Sequence, residues 1–278
     1  MTGIPRSGTS GGEALYVFAV CRDLDRARLG PLAGLTGEEP VRPLHLGGRL
    51  SAVAQTVPAD DFTDEVWQER LTDQEELERY ARAHHAVVTA VAAGAPTVPL
   101  PMATLYHGDA NARTALASQA ARFDRALDRV AHHSEWGVKV FLSPATAREP
   151  AESTVGRVEP AAPSDTARPA AGSGLAYLNR RRGVQERRER RQEEAGRTAD
   201  VVDEAFRRVA AEARRLRLHS APSPEGQGVQ VLNATYLVAE DRSAELHRLA
   251  ESLREPGDAE VVLSGPWVPY SFVAEVEG

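Results

Sequence analysis

The sequence predicts an α+β protein of two domains, of which the first is a ferredoxin-like sandwich and the second contains a long helix. Strand and helix patterns are mixed along the chain, and a proline-rich interval at 143–173 separates two such mixtures. The 278 residues, 42% of them hydrophobic, are enough for two domains that each bury a core. We expect a disordered N-terminus at 1–13, domains at 14–143 and 174–278, and a flexible linker at 144–173.

The N-terminal half begins with two strand signals. The continuous apolar run Leu15–Cys21 is typical of a central strand that is buried on both faces. In the segment 43–55, Gly47 and Gly48 separate two strand-like stretches and can supply the positive φ angles of a tight turn. We therefore predict a central strand followed by a β-hairpin.

Two amphipathic helices and a further strand follow. The first helix has capping-box spacing at Thr72 and Glu75 and ends at Gly94. A second helix is indicated by Leu116, Phe123, Leu127 and Val130, and residues 136–142 then alternate as a half-buried strand. This order favours a ferredoxin-like sandwich with helices on one face of the sheet.

The segment 97–103 predicts an edge strand. Pro99 and Pro101 cannot donate hydrogen bonds to a neighbouring strand, so the segment suits an edge strand better than a central one. A partner strand could add at such an edge. We therefore take Val98, Leu100 and Met102 as candidates for partner binding.

The C-terminal half predicts a second, smaller α+β domain. A helix runs from Leu175 to about Leu218, with a break expected near Gly196. Strands are indicated at 229–238 and 260–263, with a helix at 243–254 between them.

Charge is unevenly distributed in this half. Eight arginines stand against four glutamates between Arg180 and Arg197, although the whole chain carries a net charge of −7. Arg187, Arg190 and Arg191 could face an acidic protein or nucleic acid, or the segment could be a solvated helix with ion pairs four residues apart. The overall negative charge and the absence of interleaved aromatic residues argue against nucleic acid as a partner.

The segment Gly265–Val273 concentrates aromatic residues in a chain with only 5% of them. Trp267, Tyr270 and Phe272 could pin the segment to the core of the protein, each by burial. They could also form a surface that binds a partner, since Trp and Tyr are favoured at interfaces. Both interpretations stay open.

No catalytic, cofactor-binding or metal-binding pattern is found. His84-His85 and His132-His133 are adjacent pairs, and adjacent residues on a helix point about 100° apart, which does not suit chelation of one ion. The single cysteine, Cys21, lies in an apolar run and is expected to be a buried thiol. No stretch approaches the roughly 18 apolar residues of a membrane span. We expect a non-enzymatic protein of a reducing cytoplasm without a membrane partner.

Six segments in fixed order resemble the GvpF/GvpL family of gas vesicle proteins. They are Leu15 to Val20, Arg82 to Val88, Val98 to Thr104, Glu135 to Val140, Gly174 to Arg180 and Gly265 to Val273. One departure is Pro101-Met102-Ala103-Thr104, where members of the family commonly carry an Arg-Phe-Gly type sequence.

The resemblance implies a minor protein of gas vesicle formation, located at the gas vesicle, without enzymatic activity or cofactor. It also implies two domains related to the ferredoxin-like fold, the C-terminal one modified by its long helix. The N-terminal domain would bind the major shell protein and limit its aggregation, and other accessory proteins could be further partners. An Arg-rich regulatory adaptor and an undetected enzyme are the alternatives.

Overall fold

The computed structural model describes residues 12–30, 32–142, 173–218, 228–254 and 259–273. Within these ranges the chain forms helices and two antiparallel sheets, which confirms the predicted α+β class and is consistent with two ferredoxin-like domains. The predicted linker lies outside the described residues except for Ser173, and the predicted disordered N-terminus lies outside them except for residues 12 and 13. The chain divides into unit 1, residues 1–135 and 266–278, and unit 2, residues 136–265.

Unit 1 contains a sheet with the strand order β2-β3-β1-β4, and β5 also pairs with β1. The strands are β1 (Glu13–Arg22), β2 (Arg42–Gly47), β3 (Leu50–Pro58), β4 (Thr97–Pro99) and β5 (Leu105–Tyr106). The helices are α1 (Asp64–Thr72), α2 (Gln74–Ala92), α3 (Gly108–Ala117) and α4 (Ala120–Val130).

Unit 2 is built on a second sheet with the order β7-β8-β6-β9. Its strands are β6 (His133–Leu142), β7 (Glu212–Arg215), β8 (Val229–Ala239) and β9 (Ala259–Trp267), so β6 and β9 extend past the unit boundaries. Its helices are α5 (Ser173–Val209) and α6 (Ser243–Ser252), and one core joins them to the sheet through Phe206, Tyr236 and Leu246. Within the described residues, no helix is both long enough and apolar enough to cross a membrane.

Strand β1 is central and buried on both faces, as predicted. It pairs antiparallel with β3 on one side and with β4 and β5 on the other. Tyr16 and Phe18 point into a core with α1 and α2, whereas Leu15 and Val17 point into a second core with α3 and α4. The expectation of helices on one face of the sheet is therefore wrong, because a strand without polar residues needs cover on both faces.

The predicted hairpin is confirmed at its turn. Gly47 and Gly48 have φ angles of +120° and +54°, values that glycine adopts without a steric penalty.

Cys21 is a buried free thiol, and burial raises its pKa to about 12.

Several helix boundaries differ from their predictions. Asp73, not Thr72, caps α2, because its carboxylate accepts hydrogen bonds from the backbone N–H groups of Glu75 and Glu76. The predicted second helix is divided into α3 and α4. Helix α5 continues through Gly196, since one glycine costs only about 1 kcal/mol in a helix, and the chain then forms β7 instead of more helix.

The two units divide the chain differently from the predicted domains 14–143 and 174–278. Strand β6 joins the sheet of unit 2, because Trp136, Val138 and Val140 pack into the core formed by α5 and α6. The segment 266–278 belongs to unit 1, where Val268 and Val273 enter the two cores. Local patterns show that these segments are apolar, and only long-range packing decides which core they join.

Candidate partner-binding groove

An apolar groove of about 620 Å³ lies in unit 1 and is hereafter called the groove. Helices α2, α3 and α4, the segment 99–106 and the C-terminal segment 270–273 supply its lining. No Asp, Glu, Lys or Arg is among the described residues that line it, although 26% of the chain is charged. An uncharged concave surface of this kind suits an apolar ligand or an apolar segment of another protein.

The three candidates on the predicted edge strand have different environments. Val98 is fully buried and Leu100 is 7% exposed, whereas Met102 is 38% exposed. Leu100 and Met102 line the groove, and Val98 belongs to the core beneath it. Of the three, Met102 is the one whose side chain is open to a partner.

Addition of a partner strand at β4 is not supported by the structure. The strand is at the end of the β2-β3-β1-β4 order, as predicted, but it has only three residues. All residues from Thr97 to Leu100 are buried. The edge is therefore covered by the protein itself.

The aromatic candidates also separate into buried and exposed residues. Phe272 is fully buried, Tyr270 is half-buried in the groove wall, and Trp267 is 49% exposed. The ring of His85 lies near both Trp267 and Tyr270, with centroid distances of 6.1 Å and 6.0 Å, respectively. The burial of Phe272 thus fits the interpretation that the segment docks onto its own domain. The exposed part of the Trp267 side chain is accessible to a partner.

A pair of hydrogen bonds holds the C-terminal segment in the groove wall. The backbone N–H of Ser271 donates to Glu135 Oε2 at 2.8 Å, and the Ser271 hydroxyl donates to Glu135 Oε1 at 2.6 Å. Glu135 is buried, so these bonds to a charged acceptor are stronger than bonds at the surface. These two hydrogen bonds hold the segment that contains Tyr270 and Val273, and both of these residues line the groove.

A buried polar network supports the other side of the groove. The backbone N–H of Ala103 donates to the Tyr16 hydroxyl oxygen at 3.1 Å, and the same hydroxyl lies 2.9 Å from His84 Nδ1. Ala103 has a φ of +61°, in the left-handed region that a residue with a Cβ rarely adopts. The hydrogen bond to Tyr16 therefore stabilises a turn whose backbone is strained at Ala103. Met102 lies in this turn.

Burial dominates the protonation of this network. It lowers the pKa of His84 to about 4, with a smaller decrease from the neighbouring His85 ring, while the Leu100 carbonyl acts in the opposite direction. Burial also raises the pKa of Tyr16 to about 12, against the effect of the Ala103 N–H. Both groups are consequently neutral at neutral pH.

The arginine candidates lie on α5 in unit 2. Arg190 and Arg191 are exposed, and the side chain of Arg187 lies outside the described residues. In the part of the chain that the structure describes, no three His, Cys, Asp or Glu side chains converge as a metal site would require.

Sequence reasoning missed His84, Glu135 and Ser271 as parts of the site. His84 lies on the apolar stripe of α2, a position that signals a buried histidine. Glu135 and Ser271 are 136 residues apart, and no local pattern connects them.

Comparisons with known proteins give one consistent family. The family model described as gas vesicle synthesis protein GvpL/GvpF matches residues 14–274, and this description names no enzymatic reaction. Gas vesicle protein L of Streptomyces sp. (strain CB03234) is 36% identical over 262 residues, which cover 94% of this chain and 93% of that protein.

Two solved structures share the fold. The crystal structure of the gas vesicle protein GvpF from Anabaena sp. PCC7120 has a TM-score of 0.65 at 14% identity, covering 94% of this chain and 96% of that one. GvpF from Microcystis aeruginosa has a TM-score of 0.58 at 14% identity, covering 94% and 98%.

Replacing Ala103 by glycine should stabilise unit 1. Removal of the Cβ relieves the strain of the left-handed backbone, with an expected gain of about 1 kcal/mol in the free energy of unfolding. Urea denaturation measures the change. The matched control is Ala86→Gly on the exposed surface of α2, which should destabilise by a similar amount, and equal destabilisation by both variants would contradict the prediction.

Replacing Ser271 by alanine should destabilise unit 1 by about 1–2 kcal/mol, because one bond to a buried carboxylate is lost. Denaturant unfolding followed by tryptophan fluorescence would report the loss. Ser118→Ala removes an exposed hydroxyl that donates to the Ala115 carbonyl, and it should change stability by less than about 0.5 kcal/mol. A Ser271→Ala variant as stable as Ser118→Ala would refute the assigned role of the Glu135 contact.

The stability of unit 1 should decrease as the pH falls from about 6.5 towards 4. The pKa of His84 is lower in the folded state than in the unfolded chain, so the unfolded chain binds the proton first. The expected loss attributable to His84 is about 2 kcal/mol at pH 5. A His84→Gln variant should lack this part of the pH dependence, and identical slopes in urea titrations of both proteins would contradict it.

Proposed function

The chain belongs to the GvpL/GvpF family of gas vesicle synthesis proteins, and from this premise we propose that it is an assembly factor for the gas vesicle shell. In this proposal the groove binds an apolar segment of the major shell protein and limits its aggregation before or during nucleation. Family membership supplies the gas vesicle role, and the shell protein as partner is our proposal.

The observation that carries the proposal is the apolar surface around the groove. Met102 and Trp267 are the exposed large hydrophobic side chains of unit 1 within the described residues. Met102 lines the groove, and Trp267 contacts His85, which lines it as well. Exposed apolar residues that surround a pocket are typical of binding surfaces, and Met and Trp are enriched there.

The physical need for such a partner follows from the shell itself. A subunit that assembles into a water-excluding wall exposes apolar surface and strand edges before assembly, and both promote aggregation. A groove of this volume accommodates a few side chains, each contributing about 1.5–3 kcal/mol when buried. Binding of this strength protects a subunit and still permits its release to a growing vesicle.

The basic segment of α5 supports a second candidate contact. Arg190 and Arg191 are exposed and could bind an acidic accessory protein, or nucleic acid in an Arg-rich adaptor. Such a contact would weaken steeply with salt, whereas apolar binding in the groove would not.

Replacing Met102 by arginine should reduce binding of the major shell protein at least about tenfold, because the charge must be desolvated against an apolar surface. The measurement is co-expression of the full chain with the shell protein, followed by size exclusion and quantification of the shell protein that co-elutes. Leu100→Arg is unsuitable, because Leu100 is part of the core and the variant would unfold.

The matched control is Val201→Arg, which places the same charge at a side chain of unit 2 that is 66% exposed. It should bind as the unaltered chain does. Equal binding by the Met102 and Val201 variants, both with unchanged melting temperatures, would exclude the groove as the contact.

A further inference from the structure

Two polar side chains in the lining of the groove form no hydrogen bond with the described part of the chain. They are the Gln119 amide and the Tyr106 hydroxyl, and both residues are half-buried. The other polar side chains of the described lining each have a partner within unit 1, and these are His84, His85, Thr104 and Tyr270. Because Gln119 and Tyr106 are partly exposed, water can satisfy them in the free protein.

Gln119 is one of the two residues between α3 and α4. It directly precedes α4, at the position where Ser, Thr, Asn or Asp commonly caps a helix. Its side chain forms no capping bond, whereas its backbone carbonyl accepts hydrogen bonds from the backbone N–H groups of Arg122 and Phe123. The side-chain amide is therefore not used by the helix, and both its N–H donors and its oxygen are available to a ligand.

Tyr106 reaches the groove from β5. Its backbone pairs with Leu15 of β1, and its side chain packs against the core on the side of α3 and α4. Partial burial raises the pKa of the Tyr106 hydroxyl. The hydroxyl therefore keeps its hydrogen at neutral pH and can donate as well as accept.

An apolar segment that enters the groove displaces water from these two groups. The segment must then supply hydrogen-bond partners, since polar groups left unsatisfied in a filled groove weaken binding. The middle of a helix cannot supply them, because its backbone N–H and C=O groups are bonded to one another.

An extended segment can supply these partners. In a strand, the N–H and C=O of one residue point to the same side, so a single primary amide can accept from one and donate to the other. Backbone amides and apolar side chains carry no charge, which matches a described lining without Asp, Glu, Lys or Arg.

We propose that the groove binds its partner in extended form, with the Gln119 amide paired to the backbone N–H and C=O of one residue and the Tyr106 hydroxyl bonded to a second backbone group. The inference rests on the proposed function and specifies what is bound: an apolar segment of the shell protein with a free strand edge. A subunit has such edges before assembly, and they are the groups through which strands aggregate. The groove thus selects subunits whose strand edges are not yet paired.

Co-expression of full-length variants with the major shell protein, followed by size exclusion, tests the pairing. Gln119→Leu keeps a side chain of similar size without donor or acceptor. It would leave the backbone groups of an extended segment unpaired, so co-elution of the shell protein should fall about tenfold. Tyr106→Phe removes only the hydroxyl and should also reduce co-elution. If the segment binds as a helix, the added apolar side chain of Gln119→Leu leaves co-elution unchanged or raises it, and this result would overturn the proposal.

Two further variants separate this inference from the proposed function. Gln192→Leu makes the same substitution at an exposed position of α5 in unit 2, and it should bind as the unaltered chain does. If Gln119→Leu binds normally while Met102→Arg does not, the extended form is refuted and the groove stands. If Met102→Arg also binds normally, the proposed function of the groove fails.

A second measurement uses the unaltered full chain, with 15N in its glutamine side chains. The signals of the Gln119 amide are those absent from the spectrum of Gln119→Leu. In the complex with the shell protein, one of the two amide hydrogens should shift downfield and exchange more slowly with water, because it donates to a carbonyl that excludes solvent. Gln119 signals that are the same in the free protein and in the complex would contradict the pairing.

Discussion

Unit 1 depends on the burial of strand β1 on both of its faces. Every residue from Ala14 to Cys21 is buried, so the strand has no side that could face water. Helices must therefore cover both faces, with α2 on one and α3 and α4 on the other. The chain passes from one helical layer to the other through the short strands β4 and β5. The groove forms at this passage, and its lining comes from helices of both layers.

The same constraint gives the C-terminal segment its role. Val268 enters the core on the α2 side of the sheet and Val273 enters the core on the side of α3 and α4, so a six-residue stretch connects both layers. The two bonds from Ser271 to Glu135 fix this stretch between its apolar ends. Tyr270 and Val273 then close one wall of the groove. The sequence left open whether this aromatic segment docks onto the core or binds a partner, and in the structure it is part of the groove wall.

Polar chemistry in this surface is confined to a few residues. Tyr16, His84 and the backbone of Ala103 form a neutral network beneath an uncharged lining, and burial keeps the ring and the phenol neutral at neutral pH. The exposed arginines of α5 present the opposite chemistry in unit 2. Under the proposed function this difference is useful, because an apolar site would bind apolar surface of a shell subunit and charged surfaces would keep the protein dispersed in water.

The sequence by itself determined the features that depend on local pattern. The apolar run of β1, the positive φ angles of Gly47 and Gly48, and the alternation in β6 predicted their elements correctly. Tertiary structure decided which core each element joined. Strand β6 went to the sheet of unit 2, the C-terminal segment returned to unit 1, and Glu212–Arg215 became a strand by pairing with β8 despite having no apolar alternation. Periodicity records how much of an element is buried, whereas its partners are set by contacts between residues far apart in the chain. That is why Met102 and Val98 looked equivalent in the sequence although Val98 is fully buried and Met102 is 38% exposed. It is also why the contact of Glu135 with Ser271 had no sequence signal.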